Sequence, residues 1–399
     1  VAGLVTNDSI VVPDKMLEGM GVTVLRDEVT SVDRQNKKVV TAGGQTLDFD
    51  KLYLATGASS FVPPIEGKDL KGVMTLRGLD DAAVIKDAVA GRKSGNIVFI
   101  GAGFISMEVA SLLVEATPES FNISVVELLD RPLPLMLDGD MAESLTTYLQ
   151  EKGLTLLTGE KVEKLHGKDG RVEEVELTSG KKIAADMVFM NVGVRPNVGL
   201  AQEIGLEMGQ FGIKVNEFQE TSDADIMAGG DCVEKYHYIT QKPVPGQLRG
   251  PAVVQGRLAA KRLAGYDIAF PGVLDAGGCK MFNMTVTATG LSEESARREG
   301  FEPVTAIVDS RSKHGMIPGM KPWKIKLVFD RATHKLIGGQ IVSHDIAPAR
   351  EIDAVTAFIL GGRTIEQLTT FTSACNPDIS SEPSAEPITI AAEQALQKL

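Results

Sequence analysis

Two glycines, Gly101 and Gly103, stand between an apolar run, Asn96–Ile100, and a stretch with apolar residues at helical spacing, Ile105, Val109, Leu112 and Leu113. A short β-branched run reads as a strand buried on both faces, and the continuation reads as a helix. Gly101 permits a tight turn, and Gly103 lets backbone N–H groups approach a pyrophosphate at the positive end of the helix. Ser106 takes the place of a third glycine and is small enough for close helix–strand packing. A second apolar run ends at Glu127, 21 residues after Ser106. An acid at that distance is placed to receive ribose hydroxyls and to repel a 2′-phosphate, which favours NADH over NADPH. Arg131, four residues on, works against that preference. Strand, turn, helix, strand and acid in order point to a dinucleotide site, with a purely structural glycine turn as the alternative.

Around this segment the chain repeats itself. Gly21–Leu25 (GVTVL) resembles Gly153–Leu157 (GLTLL), and Gly44–Gly57 runs parallel to Gly180–Gly193, with Asp50 and Asp186 at matching places. The pattern is that of two copies of one nucleotide-binding unit, each with a small meander leading into a final strand. In the second copy the glycine turn precedes Gly153 by 52 residues, whereas only 20 residues precede Gly21. The first copy's phosphate loop is therefore expected at least ~30 residues upstream of Val1.

The 399 residues suffice for two or three domains. A net charge of −12 argues against nucleic-acid binding, which needs clustered Lys and Arg. No apolar run reaches the ~18 residues of a membrane span. Cys232, Cys279 and Cys375 are too far apart for a zinc pattern or a disulfide framework, so a reducing cytoplasm is expected. The five histidines, His166, His237, His314, His334 and His344, lack metal-ligand spacing and are expected at the surface; no metal is expected. Cys232, after a glycine–Asp turn, is expected to be a small packed residue.

Five segments in order carry a wider likeness: Leu54–Ala58 (LATGA), Gly101–Glu108 (GAGFISME), Val192–Asn197 (VGVRPN), Thr221–Cys232 (TSDADIMAGGDC) and Pro251–Gly265. Through them the chain resembles the FAD- and NAD(P)H-dependent pyridine nucleotide-disulfide oxidoreductases. The nearest branch holds coenzyme A-disulfide reductases, persulfide reductases and NADH oxidases. The resemblance implies an α/β fold with two Rossmann-like nucleotide-binding domains, for FAD and NAD, and a C-terminal α+β dimerisation domain. Residues 1–77 and 198–270 would form the FAD domain, 78–197 the NAD domain and 271–399 the dimerisation domain of a homodimer. Cofactor contacts are expected at Ala55, Thr56, Gly57, Gly101, Gly103, Ile105, Glu108, Glu127, Gly193, Gly230, Asp231 and Ala252. In the family an Asp at the place of Asp231 accepts a hydrogen bond from the ribityl chain of FAD; a turn Asp after two glycines is the alternative. A helix begun near Pro251 would put its positive end toward a reduced flavin, although a plain amphipathic helix fits the same pattern.

Departures from the family bear on the chemistry. Its N-terminal glycine motif and the active-site cysteine after it are absent from this sequence. Asn376 stands where one subgroup has a His before Pro. Cys375 occupies the place of a Tyr in the coenzyme A-disulfide branch. It is a weak candidate nucleophile, set against a small residue filling the vacated site. With no CxxC or CxxxxC pair, the chain carries no local dithiol–disulfide couple. The leading reading is a flavoprotein oxidoreductase that passes hydride from NADH to FAD, and electrons on to a disulfide or persulfide, an oxygen species or a small redox protein. The alternative is a flavin-deficient nucleotide-binding or structural subunit of a redox complex. Three local elements complete the reading. Trp323–Phe329 with Lys335–Val342 forms a hairpin, Ser292 caps a short helix, and residues 388–399 form a closing helix.

Overall fold

The computed structural model describes residues 9–117 and 120–399. Contacts divide it into two units: Ser60–Gly193 with Leu274–Leu399, and the described residues up to Ser59 with Val194–Val273.

In the first unit, five parallel strands lie in the order Val73–Met74, Met187–Met190, Gly95–Ile100, Phe121–Glu127 and Thr155–Thr158. The run before the glycine turn is the central strand, and Ile97, Val98 and Phe99 are wholly buried. Successive side chains point to opposite faces. Ile97 and Phe99 pack among residues of the helices Phe104–Ala116 and Gly139–Glu151. Val98 and Ile100 pack against Val162, Val172 and Val175 of a three-stranded antiparallel meander. Because both faces are covered, the strand reads as an unbroken apolar run. Each such side chain contributes about 1.5–3 kcal/mol by burial.

The same unit holds a five-stranded antiparallel sheet in the order Gly277–Met281, Met284–Gly290, Leu336–Ser343, Pro322–Asp330 and Pro303–Arg311. The expected hairpin is its Pro322–Asp330 and Leu336–Ser343 pair, and Leu336–Ser343 is buried along its whole length. Ser292 caps the helix Glu293–Arg298 by accepting from Ser295 N at 3.1 Å. The closing helix spans Pro387–Leu396, with Pro387 in its first turn. Cys279, Met281, Met284 and Val286 of this sheet belong to the same apolar cluster as Met107 and Leu145, so the parallel and antiparallel sheets share one core.

The second unit contains a meander of Val29–Asp33, Lys38–Thr41 and Thr46–Asp48, a parallel pair of Leu52–Leu54 and Ile226–Ala228, and the helix Arg249–Leu263. The repeat is visible here. Both copies have a three-stranded meander followed by a short parallel strand, Leu52–Leu54 in one and Met187–Met190 in the other. The paired turn glycines Gly44 and Gly180 have φ of 81° and 83°, a region that favours glycine. The copies differ at the preceding segment. Thr155–Thr158 pairs with Phe121–Glu127. Val22–Leu25 joins no ladder among the described residues, and Val22 and Leu25 are exposed. Among the described residues no helix is long and apolar enough to cross a membrane.

Candidate functional site

In the first unit the site forms at the carboxyl ends of the parallel strands. Gly101 has φ of 91°, and a Cβ there would lie 2.8 Å from the Asn191 carbonyl oxygen, so the turn admits no larger residue without movement. Gly103 is the extended N-cap of the helix Phe104–Ala116; no side chain caps that helix, and a Cβ on Gly103 would meet nothing within 4 Å. Open space thus faces the amide end of a thirteen-residue helix, an arrangement that suits a phosphate. Ile105 is partly exposed on the first turn, and Ser106 is wholly buried, as close packing requires. Gly193 follows the neighbouring strand, with φ of 112°.

Glu127 ends its strand and is 9% exposed. Its Oε2 accepts from Ala102 N at 2.7 Å and its Oε1 from Leu129 N at 2.9 Å. The acid therefore ties the glycine turn to the end of the second strand. A carboxylate accepts about four hydrogen bonds, so acceptor capacity for a ligand remains. Glu108, one turn into the helix, accepts weakly from Lys280 N at 3.4 Å. Burial raises its pKa, opposed by the Lys280 N–H and the Cys279 thiol. Burial, then the Glu108 charge, pushes the Cys279 thiol up, so it stays protonated.

In the second unit, the loops after Leu52–Leu54 and Ile226–Ala228 meet, with Gly229 N donating to Leu54 O at 3.1 Å. A Cβ on Gly229 would fall 1.9 Å from Tyr53 Oη, and one on Gly230 would lie 3.7 Å from Ala252 Cβ. Gly230 and Asp231 thus open a 3-10 turn beside the first turn of the helix Arg249–Leu263, which also lacks a side-chain cap. Burial raises the Tyr53 pKa to about 12, with the Cys232 charge as a second cause. Thr56 Oγ1 donates to Asn197 O at 2.5 Å, and Asn197 Nδ2 donates to Thr56 O at 2.9 Å, which fixes the Ala55–Gly57 loop. Beside that loop is an open cleft of about 560 Å³ lined by Tyr53, Leu54, Ala55, Thr56, Asn197 and Leu200, among others.

Several supporting residues were not among the sequence candidates. Gln255 Oε1 accepts from Gly230 N at 3.0 Å, and Lys235 Nζ donates to Gly230 O at 2.7 Å, both from buried positions. Asn197 closes the VGVRPN segment, the one signal that could have found it; Lys235 and Gln255 carry no spacing signal. The helix buries Gln255, Leu258 and Ala259, while Val253, Val254 and Leu263 are exposed.

The remaining candidates stand apart. Cys232 is buried, with Sγ 3.2 Å from Gly229 O, and is a packed residue as expected. Cys375 is exposed, and its Sγ donates to Ser373 O at 3.2 Å. The expectation of surface histidines fails at one position, His237. His237 is 5% exposed, and its Nδ1 accepts from Ile239 N and Thr240 N in a tight turn; the other four are partly exposed. His166 and His334 pair with Glu176 and Glu366. No group of three or more His, Cys, Asp or Glu among the described residues is placed to hold a metal ion.

Comparison with known proteins bears on these two sites. Residues 12–256 match the family described as pyridine nucleotide-disulphide oxidoreductase, and residues 277–386 match that family's dimerisation domain. An NADH oxidase of Methanocaldococcus jannaschii is 36% identical over 93% of this chain and 82% of its own length. An NAD(P)H coenzyme A polysulfide/persulfide reductase of Pyrococcus horikoshii is 32% identical over 91% of this chain and 81% of its own. The solved structure of an NAD-dependent persulfide reductase from A. fulgidus superposes with a TM-score of 0.87 at 34% identity, covering 93% of this chain and 68% of that one.

Proposed function

Because the chain belongs to the pyridine nucleotide-disulphide oxidoreductase family and is thereby an FAD-dependent NAD(P)H oxidoreductase, we propose that it draws its hydride from NADH and delivers electrons to a small acceptor, a disulfide or persulfide foremost. An oxygen species or a small redox protein is the other acceptor class. The observation that carries this reading is the uncapped helix end at Gly103 joined through Ala102 to Glu127. Backbone N–H groups there hold the pyrophosphate of NADH, and Glu127 receives the adenosine ribose hydroxyls and repels a 2′-phosphate. Gly101, Ile105, Glu108 and Gly193 line the same nucleotide.

Residues of the second unit fit FAD: the glycine pair at Gly229–Gly230 has no room for a side chain at Gly229, and the cleft beside Ala55–Gly57 is open. Asp231 takes the ribityl chain. The first turn of the helix Arg249–Leu263, with Ala252, would place positive potential beside a bound flavin. FAD supplies two-electron storage between the nucleotide and the acceptor. With a disulfide, NADH and one proton yield NAD⁺ and two thiols, so electrons and protons balance. We further place the FAD domain at 1–77 and 198–270, the NAD domain at 78–197, and the interface of a cytoplasmic homodimer at 271–399.

The test is steady-state oxidation of NADH and NADPH by the FAD-loaded protein against a disulfide, a persulfide and oxygen. We expect kcat/KM for NADH to exceed that for NADPH by about tenfold or more, the scale of one charge contact. The fastest turnover is expected with a sulfur acceptor. Equal use of both nucleotides contradicts the role of Glu127.

A further inference from the structure

The loop from Leu128 to Leu137 lies against both ends of the nucleotide site: Leu129 N donates to Glu127 Oε1, and Leu133 N donates to Ala102 O at 2.9 Å. Arg131, between them, is the loop's only basic residue. A guanidinium in this place is the natural partner of an adenosine 2′-phosphate, since its fork matches phosphate oxygens in pairs. Here every arm of it is engaged. Nε donates to Leu137 O at 2.8 Å, one Nη to Asp130 at 2.7 Å, and the other to Glu294 Oε2 at 2.5 Å. Its side chain is 12% exposed.

Glu294 belongs to the helix Glu293–Arg298, far from the nucleotide segments in sequence. That helix is itself anchored to the loop's end, because Glu293 N and Glu294 N donate to the Asp138 carboxylate at 3.0 and 3.1 Å. The Glu294 backbone is therefore held beside the loop, and its half-exposed side chain reaches Arg131 from there.

Resting on the nucleotide reading above, we propose that Glu294 is a specificity-determining residue: by engaging Arg131 it withholds the loop's one cation from a 2′-phosphate and so reinforces the preference for NADH. Asp130 is 77% exposed against 54% for Glu294, so solvent weakens its pairing with Arg131 the more. Lys161, exposed beside Glu160 (whose N–H donates to Glu127 O at 2.9 Å), contributes equally to wild type and variants and drops out of their ratio.

The test is equilibrium binding of ADP-ribose and of 2′,5′-ADP to the whole FAD-loaded protein, in wild type, Glu294→Ala and Glu294→Gln. Binding separates selectivity from electron transfer. Glu294→Ala should tighten 2′,5′-ADP relative to ADP-ribose by about tenfold, one charge-assisted contact, with a smaller gain for Glu294→Gln. Adding Arg131→Ala should abolish the gain. An unchanged ratio in both Glu294 variants, with ADP-ribose still bound, overturns this proposal and leaves the nucleotide reading standing. A wild type that binds neither ligand overturns both. Glu294→Gln keeps the hydrogen-bond geometry, so a folding defect in Glu294→Ala does not remove the test.

Discussion

The three cysteines occupy three different surroundings, and those surroundings decide their chemistry. Cys279 is buried beside Glu108, and both burial and that charge hold its thiol protonated. Cys232 is sealed between Leu54 and Gly229 carbonyls. Cys375 is exposed, and its thiol donates to the Ser373 backbone carbonyl, which is not a cation that would stabilise a thiolate. We therefore expect Cys375→Ser, assayed with FAD bound for NADH-driven reduction of a disulfide or persulfide, to keep turnover within about twofold of wild type, as for a surface substitution. A loss of orders of magnitude with flavin retained would make Cys375 the nucleophile. Glu127 shows a second lesson at this scale. Its position announces a ribose contact, yet its closest partners are the backbone amides of Ala102 and Leu129, so the residue we propose to select the nucleotide also shapes the glycine turn.

Among elements, the antiparallel sheet meets the loop and helix after Glu127 through one buried cation. Lys326, 1% exposed, reaches Asp138 at 3.1 Å, Asp140 at 2.7 Å and Glu293 at 2.9 Å, and Gln340 Nε2 donates to Asp138 at 2.7 Å. Arg297 also pairs with Glu293 at 2.7 Å. Burial works to lower the Lys326 pKa, but Asp140, Glu293 and Asp138 hold it above its ordinary value. Burial works to raise Asp138, but the Glu293 amide and Lys326 hold it below. The depressed carboxylate stabilises the fold above about pH 4 and loses that contribution as pH falls through its lowered value. The raised lysine contributes below about pH 10 and loses it as pH rises further. Lys326→Met leaves three carboxylates without their cation, and we expect a loss of about 3–5 kcal/mol at pH 7. That deficit should narrow toward pH 4, where the variant's carboxylates, no longer depressed, take up protons before those of the wild type. Denaturant unfolding across that range reads it, and a deficit independent of pH contradicts the role assigned to Lys326. None of this was legible in the sequence. In WKIKLVF, Lys326 reads as a solvent-facing position of an alternating strand, and its partners come from residues 138, 140 and 293. The strand, turn and helix around Gly101 were legible because their pattern is local: β-branched run, glycines, then 3.6-residue spacing. Lys235 and Gln255, which clamp Gly230, were not, since neither residue type nor spacing marks a buried polar support.

Across the whole molecule, the duplication is the organising fact. Two copies of one meander-and-strand unit each end in a glycine loop. One copy is built around Gly101 and Glu127, and the other joins Ala55–Gly57 to Gly230 and Ala252. We propose that the first holds NADH and the second FAD, with electrons flowing between the two bound nucleotides. The most direct measurement is anaerobic mixing of the FAD-loaded protein with NADH while the flavin absorbance is followed. Full bleaching of the flavin by one equivalent of NADH is expected, with slower bleaching by NADPH. A flavin that stays oxidised under excess NADH contradicts this reading.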